Sequence, residues 1–198
     1  MAEQTASDAE RIGYYRRMQA AVEELLILNG VVTREDVDAE AAAMAARSYR
    51  DGARVVARAW VDDAYRGRLI ARPTEACAEL GLDIRPMHLI VVENTPQIHN
   101  VIVCTLCSCY PRMLLGLPPQ WYKSREYRSR VVVEPRNVLA EFGTVLPGDT
   151  QIRVHDSSAD MRYMVLPMRP DDADELPEPA LARRVTRDAL IGTAVIDR

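Results

Sequence analysis

Between residues 104 and 109 the chain reads Cys104-Thr105-Leu106-Cys107-Ser108-Cys109, and no other feature narrows its fold and chemistry as much. The spacing is C-x-x-C-S-C, so three thiolates converge from one short loop. The residue between the last two cysteines is small, which lets the backbone turn tightly. In that turn the amide nitrogens of Ser108 and Cys109 can face the same centre as the sulfurs. Three sulfurs and two amide nitrogens form a five-point claw, and an octahedral ion held in it keeps one open position, as a catalytic site requires. Ligation through amide nitrogen calls for a strong Lewis acid such as trivalent cobalt or iron, whereas divalent zinc prefers four ligands in a tetrahedron.

Two plainer readings compete. A structural zinc site needs a fourth ligand from Cys77, His88, His99 or His155, and none of these builds a second C-x-x-C pair. A redox pair of Cys104 and Cys107 is also possible, but it leaves Cys109 without a role. Cys77 lies among Ala76, Ala78 and Leu80 and reads as a small buried core residue.

The rest of the composition sets the background. A chain of 198 residues suffices for one domain with a real core and a small appendage. The net charge of −4 argues against nucleic-acid binding, and no apolar run approaches the ~20 residues of a membrane span. The N-terminus lacks a basic segment followed by an apolar stretch, so a cytoplasmic location is expected. In that compartment a cysteine cluster points to metal or redox chemistry rather than to disulfides.

The first part of the chain reads as helical. Ile12, Tyr15, Met18, Val22, Leu25 and Leu26 recur at three- and four-residue spacing, and Asn29-Gly30 closes that stripe. Thr33 is a candidate N-cap for a second helix carrying Val37, Ala41, Met44 and Ala45. Short helices are predicted around 55–60, 62–70 and 73–80. Strands are predicted at 87–92, 100–103, 150–155 and 161–166, with the cysteine run directly after the second. Residues 114–119 read as a turn, 134–142 as a helix, 167–179 as an acidic, proline-rich loop and 178–190 as a final helix. The class is α+β: an N-terminal helical arm over 1–50, then an α/β layered metal-binding domain over 51–198.

Val103 to Tyr110 resembles the metal claw of nitrile hydratase α subunits, with Thr105 and Tyr110 as in their cobalt class. The similarity extends to residues 52–61, 116–123, 127–132, 161–167 and 185–188. It implies a cobalt(III) ion, one per chain, rather than iron. It implies Cys104 as axial thiolate, Cys107 as sulfinate, Cys109 as sulfenate, and Ser108 and Cys109 as amide-nitrogen donors. The implied reaction is hydration of a nitrile to its amide, a lyase activity. The metal polarises the nitrile, and the Cys109 sulfenate or a water it activates attacks the carbon. The implied partners are one or two β-type chains, whose arginines hold the oxidised sulfurs, and a cobalt-insertion activator.

Two positions depart from that pattern. After Tyr110-Pro111 the ordinary members carry tryptophan and proline, whereas this chain has Arg112-Met113. A cation beside the metal, with Tyr110 as the other candidate wall of the substrate pocket, suits a polar or anionic substrate. Arg112 also resembles the γ subunit of thiocyanate hydrolase, a sister enzyme and the second functional reading. A divergent nitrile hydratase acting on nucleoside nitriles, such as toyocamycin nitrile hydratase, is a further relative. Arg85 stands where the family often has a glutamine that helps to orient the site. His99 and Arg162 are candidates for support of the loop, and Trp60 and Trp121 read as packing residues.

Overall fold

The computed structural model describes the backbone of residues 2–107 and 109–196, with side chains from residue 12 onward. The chain divides into two compact units, Met1–Met44 and Ala45–Arg198.

The first unit holds α1 (Ala2–Leu28) and most of α2 (Arg34–Ala46). Gly30, at φ +66°, lets the chain leave α1. The start of α2 is fixed reciprocally. The Asp36 amide donates to Thr33 Oγ1 at 3.1 Å, and the Thr33 amide donates to the Asp36 carboxylate at 2.9 Å. The Thr33 hydroxyl, which donates to the same carboxylate at 2.7 Å, and then the Thr33 amide hold the Asp36 carboxyl below its ordinary range. The apolar stripe of α1 stays largely in solvent, with Ile12, Tyr15, Val22 and Leu25 more than half exposed.

The second unit begins with α3 (Tyr49–Val61), capped by Ser48 and buried along Ala53, Val56, Ala57 and Trp60. The Asp62 carboxylate caps α4 (Asp63–Ala71) by accepting from the Tyr65 amide at 2.8 Å. Pro73 opens α5 (Pro73–Glu79). Then come β1 (His88–Glu93), β2 (Ile98–Val103), α6 (Arg112–Leu115), a 3₁₀ turn at Gln120–Lys123, α7 (Arg125–Arg130) and α8 (Pro135–Glu141). The unit closes with β3 (Gln151–Asp156), β4 (Met161–Leu166), α9 (Glu178–Arg184) and α10 (Arg187–Ile191).

The strands form two parallel pairs. β1 lies beside β4 from His88–Met161 to Glu93–Leu166, and β2 lies beside β3 from Ile98–Gln151 to Val103–Asp156. Strands adjacent in sequence therefore do not pair, and each partner arrives by a long crossover, as parallel pairing requires. Helix α3 packs on α9, α10 and α6. The core gathers Val55, Val56, Val101, Ile102, Met164, Val165, Leu181 and Leu190. The α+β class expected from the sequence holds. One expected element divides: the single final helix becomes α9 and α10, because Val185 and Thr186 are extended and the Thr186 hydroxyl caps α10 by accepting from the Ala189 amide at 3.1 Å.

Gly192 ends α10 at φ +89°, pressed against β2, and its carbonyl accepts from His99 Nε2 at 2.7 Å. A Cβ there would stand 2.0 Å from the Asn100 carbonyl oxygen, a backbone atom that cannot yield. Gly192→Ala is therefore expected to cost more than about 2 kcal/mol, through strain at positive φ and the clash with β2. A thermal melt should show a fall in Tm of at least about 4 °C.

Candidate metal centre

Strand β2 is buried over Val101, Ile102 and Val103, and the chain leaves its carboxyl end at Cys104, itself 1 % exposed. Carboxyl ends of parallel strands are where such sheets present ligand sites, because the connecting loops gather there. The Sγ atoms of Cys104 and Cys107 are 3.5 Å apart, and those of Cys107 and Cys109 are 3.3 Å apart. These separations are far beyond the ~2.05 Å of a disulfide, and all three sulfurs lie within 4.8 Å of one another. Cys107 faces solvent and Cys109 is half-buried. Ser108, named as a ligand from the sequence, lies outside the described residues.

The loop is held from every side. Register places Asp156 opposite Val103, so its carboxylate accepts from the Thr105 amide at 2.9 Å and from the Thr105 hydroxyl at 2.5 Å. The Ser157 amide extends the ladder to the Val103 carbonyl at 2.7 Å. Below the loop, the Tyr127 hydroxyl donates to the Ile102 carbonyl at 2.6 Å and the Tyr122 hydroxyl to the Cys109 carbonyl at 2.8 Å. Arg128, on α7, donates through Nη1 to the Cys107 carbonyl at 3.0 Å and the Thr105 carbonyl at 3.4 Å. The cysteine at Cys107 further offers its amide to Cys104 Sγ at 3.3 Å.

The electrostatics favour sulfurs that share an ion. Without one, burial pushes the Cys109 thiol up to about 12, hydrogen bonding to Cys107 and Cys104 adds to the rise, and the charge of Arg162 opposes it. A bound cation reverses this logic, because a coordinating thiol ionises outright. Arg162 is itself tied to the carbonyls of Ser158 and, at 2.9 Å, Ala159.

Other sequence candidates fall elsewhere. Cys77 is fully buried in α5, and burial pushes its thiol to about 12. His99 is enclosed between Gly192 and Asn94, and His155 contacts Asn100 at 2.8 Å, so these histidines serve the frame. Tyr110 is 2 % exposed, with its ring 5.2 Å from that of Tyr122, so it underlies the loop. Arg112 is exposed at the start of α6. Arg85 grips Asp83 at 2.8 and 2.9 Å on the surface. Trp60 donates to the Pro167 carbonyl at 2.9 Å, and Trp121 packs edge-on to Tyr127 and Phe142. Sequence reasoning did not single out Asp156, Tyr122, Tyr127 or Arg128 as supports. They lie 18 to 52 residues beyond Cys104, and only the parallel register and the packing of the 3₁₀ turn and α7 bring them to the loop.

Among the described residues, the three cysteines are the one group of three or more side chains able to share a metal. Among the described residues no fourth His, Cys, Asp or Glu joins them, and Leu106 beside them is 88 % exposed. Three cysteine sulfurs on one loop suit a thiolate-bound transition ion. The fold and loop define an α+β protein whose single-loop cysteine cluster fits a metal ion.

Comparison with known proteins narrows that class. The family model described as nitrile hydratase, alpha chain, matches residues 14–194. The chain is 46 % identical over 177 residues to the alpha subunit of a low-molecular weight cobalt-containing nitrile hydratase from Rhodococcus rhodochrous, covering 88 % of this chain and 86 % of that one. It is 41 % identical over 198 residues to the gamma subunit of thiocyanate hydrolase from Thiobacillus thioparus, covering 94 % and 82 %. A crystal structure of a thiocyanate hydrolase mutant superposes with a TM-score of 0.86 at 41 % identity, covering 92 % and 89 %. The chain belongs to the nitrile hydratase alpha-chain family.

The thiols should differ in reactivity accordingly. In metal-free protein at about pH 8, an aromatic disulfide reagent should label exposed Cys107 first, and Cys77 only after unfolding, since little of a thiol with so raised a pKa is thiolate. Peptide mapping of the labelled chain checks the order.

Proposed function

We propose that this chain is the metal-binding catalytic subunit of a cobalt nitrile hydratase, hydrating a nitrile to its amide. The convergence of the Cys104, Cys107 and Cys109 sulfurs in a chain of this family carries the reading. One cobalt(III) ion per chain would be held by these sulfurs with the amide nitrogens of Ser108 and Cys109. When bound, cobalt supplies Lewis acidity that makes a nitrile carbon electrophilic. Cys104, sealed at the base of the loop, anchors the site. Cys107 and Cys109, nearer solvent, are placed for oxidation by an external oxidant such as dioxygen to sulfinate and sulfenate, which weakens sulfur donation. The Cys109 sulfenate oxygen would orient a water and take its proton as that water adds to the nitrile carbon; the proton passes to the nitrile nitrogen, and the imidate so formed becomes the amide. The hydrogen bonds from Tyr122 and Arg128 to the loop carbonyls keep that oxygen aimed.

Residues 51–198 form the metal-binding domain, and residues 1–50 are an arm attached to it. One or two β-type chains complete the enzyme, with a cobalt-insertion activator for loading and a cytoplasmic location. No helix among the described residues is long and apolar enough to cross a membrane. Thiocyanate hydrolysis is a second reading, favoured by the exposed cation of Arg112 three residues after the loop.

The test uses the cobalt-loaded complex on a heteroaromatic nitrile and on thiocyanate side by side. Amide formation without thiocyanate loss is expected, and Cys109→Ser should abolish it. Thiocyanate loss without amide formation would establish the second reading; Arg112→Gln should then raise KM for thiocyanate at least about tenfold, the cost of one lost charge-assisted contact.

A further inference from the structure

We infer that Arg128 is a positioning residue for the metal centre, stabilising the charge that metal binding places on the backbone of the loop. This rests on the claw reading above and extends it to a residue on a separate helix.

Arg128 is half-buried, and its donors go to backbone: the Cys107 carbonyl at 3.0 Å, the Thr105 carbonyl at 3.4 Å and, through Nε, the Ser124 carbonyl at 3.4 Å. Arg130, on the same helix, holds both Glu134 and Glu141 at 2.6 Å. Arg162, which also bonds carbonyls, spends its donors on Ser158 and Ala159 outside the cysteine loop. Arg128 has no carboxylate at ion-pair distance among the described residues. A guanidinium that spends its charge on carbonyls meets no local anion, unless the peptide it touches becomes one.

The identity of that peptide gives the point its force. The carbonyl of Cys107 is conjugated with the nitrogen of Ser108, the partial double bond that keeps the unit planar. A metal held through that nitrogen leaves negative charge shared with the Cys107 oxygen. The guanidinium therefore lies on one of the two carbonyl oxygens, those of Cys107 and Ser108, that share charge when the loop takes its ion. The second bond, to Thr105, bridges the carbonyls on either side of Leu106, while Asp156 holds the amide and hydroxyl of Thr105. An acid and a base so fix opposite polar edges of one loop. Arginine suits this use, since Nη1 reaches both loop carbonyls while Nε holds the Ser124 carbonyl, and lysine offers a point charge.

The test compares wild type, Arg128→Lys, Arg128→Gln and Arg130→Gln, each purified as the cobalt-loaded complex. It reads cobalt per chain by elemental analysis, the rate of cobalt loss to a chelator, and the position of the sulfur-to-cobalt charge-transfer band. Arg128→Gln should lose cobalt roughly 10- to 100-fold faster and shift the band, as expected when a group orienting a metal ligand is removed. Arg128→Lys should fall between it and wild type, and Arg130→Gln should match wild type. Arg128→Met repeats the test if the glutamine variant loses its native circular dichroism. Wild-type cobalt retention with an unshifted band in Arg128→Gln overturns this inference alone. Wild-type protein without cobalt overturns the claw reading and this inference with it.

Discussion

The parallel register of β2 on β3 is the constraint on which the site depends. It sets Val103 opposite Asp156 at the last rung, so a strand end carrying three cysteines and a strand end carrying a carboxylate leave the sheet together. Asp156 then reaches both the amide and the hydroxyl of Thr105, the first residue after the buried cysteine. A slip of one residue would turn every side chain of β2 to the opposite face and separate these groups. The apolar burial of Val101, Ile102 and Val103 makes such a slip costly.

Around this junction, buried hydroxyls and one cation satisfy the polar groups of a loop that has left regular structure. Tyr122 and Tyr127 present hydroxyls to carbonyls while their rings pack with Trp121 and Phe142. Each such bond contributes about 1 kcal/mol, but an unpaired buried carbonyl costs more, so the set determines one loop conformation more than it adds stability. Preparing the loop before an ion arrives reduces the ordering cost of binding. The positive charge of Arg162 opposes the rise that burial imposes on the Cys109 thiol.

The same residue types meet different fates by position. Cys77 is enclosed by helices and inert, whereas Cys107 stands in solvent. His99 looks close to the loop in sequence, yet it faces the other end of β2, bound to Gly192. Arg85 and Arg112, both departures from the family pattern, lie on the surface, one neutralised by Asp83 and the other exposed at the start of α6.

The sequence by itself determined the chemistry. Three cysteines in six residues converge whatever fold surrounds them, because a short loop cannot keep its sulfurs far apart. It also determined the α+β class and most element positions, which follow from local periodicity, proline and glycine. Strand pairing, the break at Val185 and the outer supports of the loop were decided only in the tertiary structure. Asp156, Tyr122, Tyr127 and Arg128 carry no local signal of their role. Each acts through a hydrogen bond to backbone distant in sequence, and only long-range strand pairing and helix packing set such bonds.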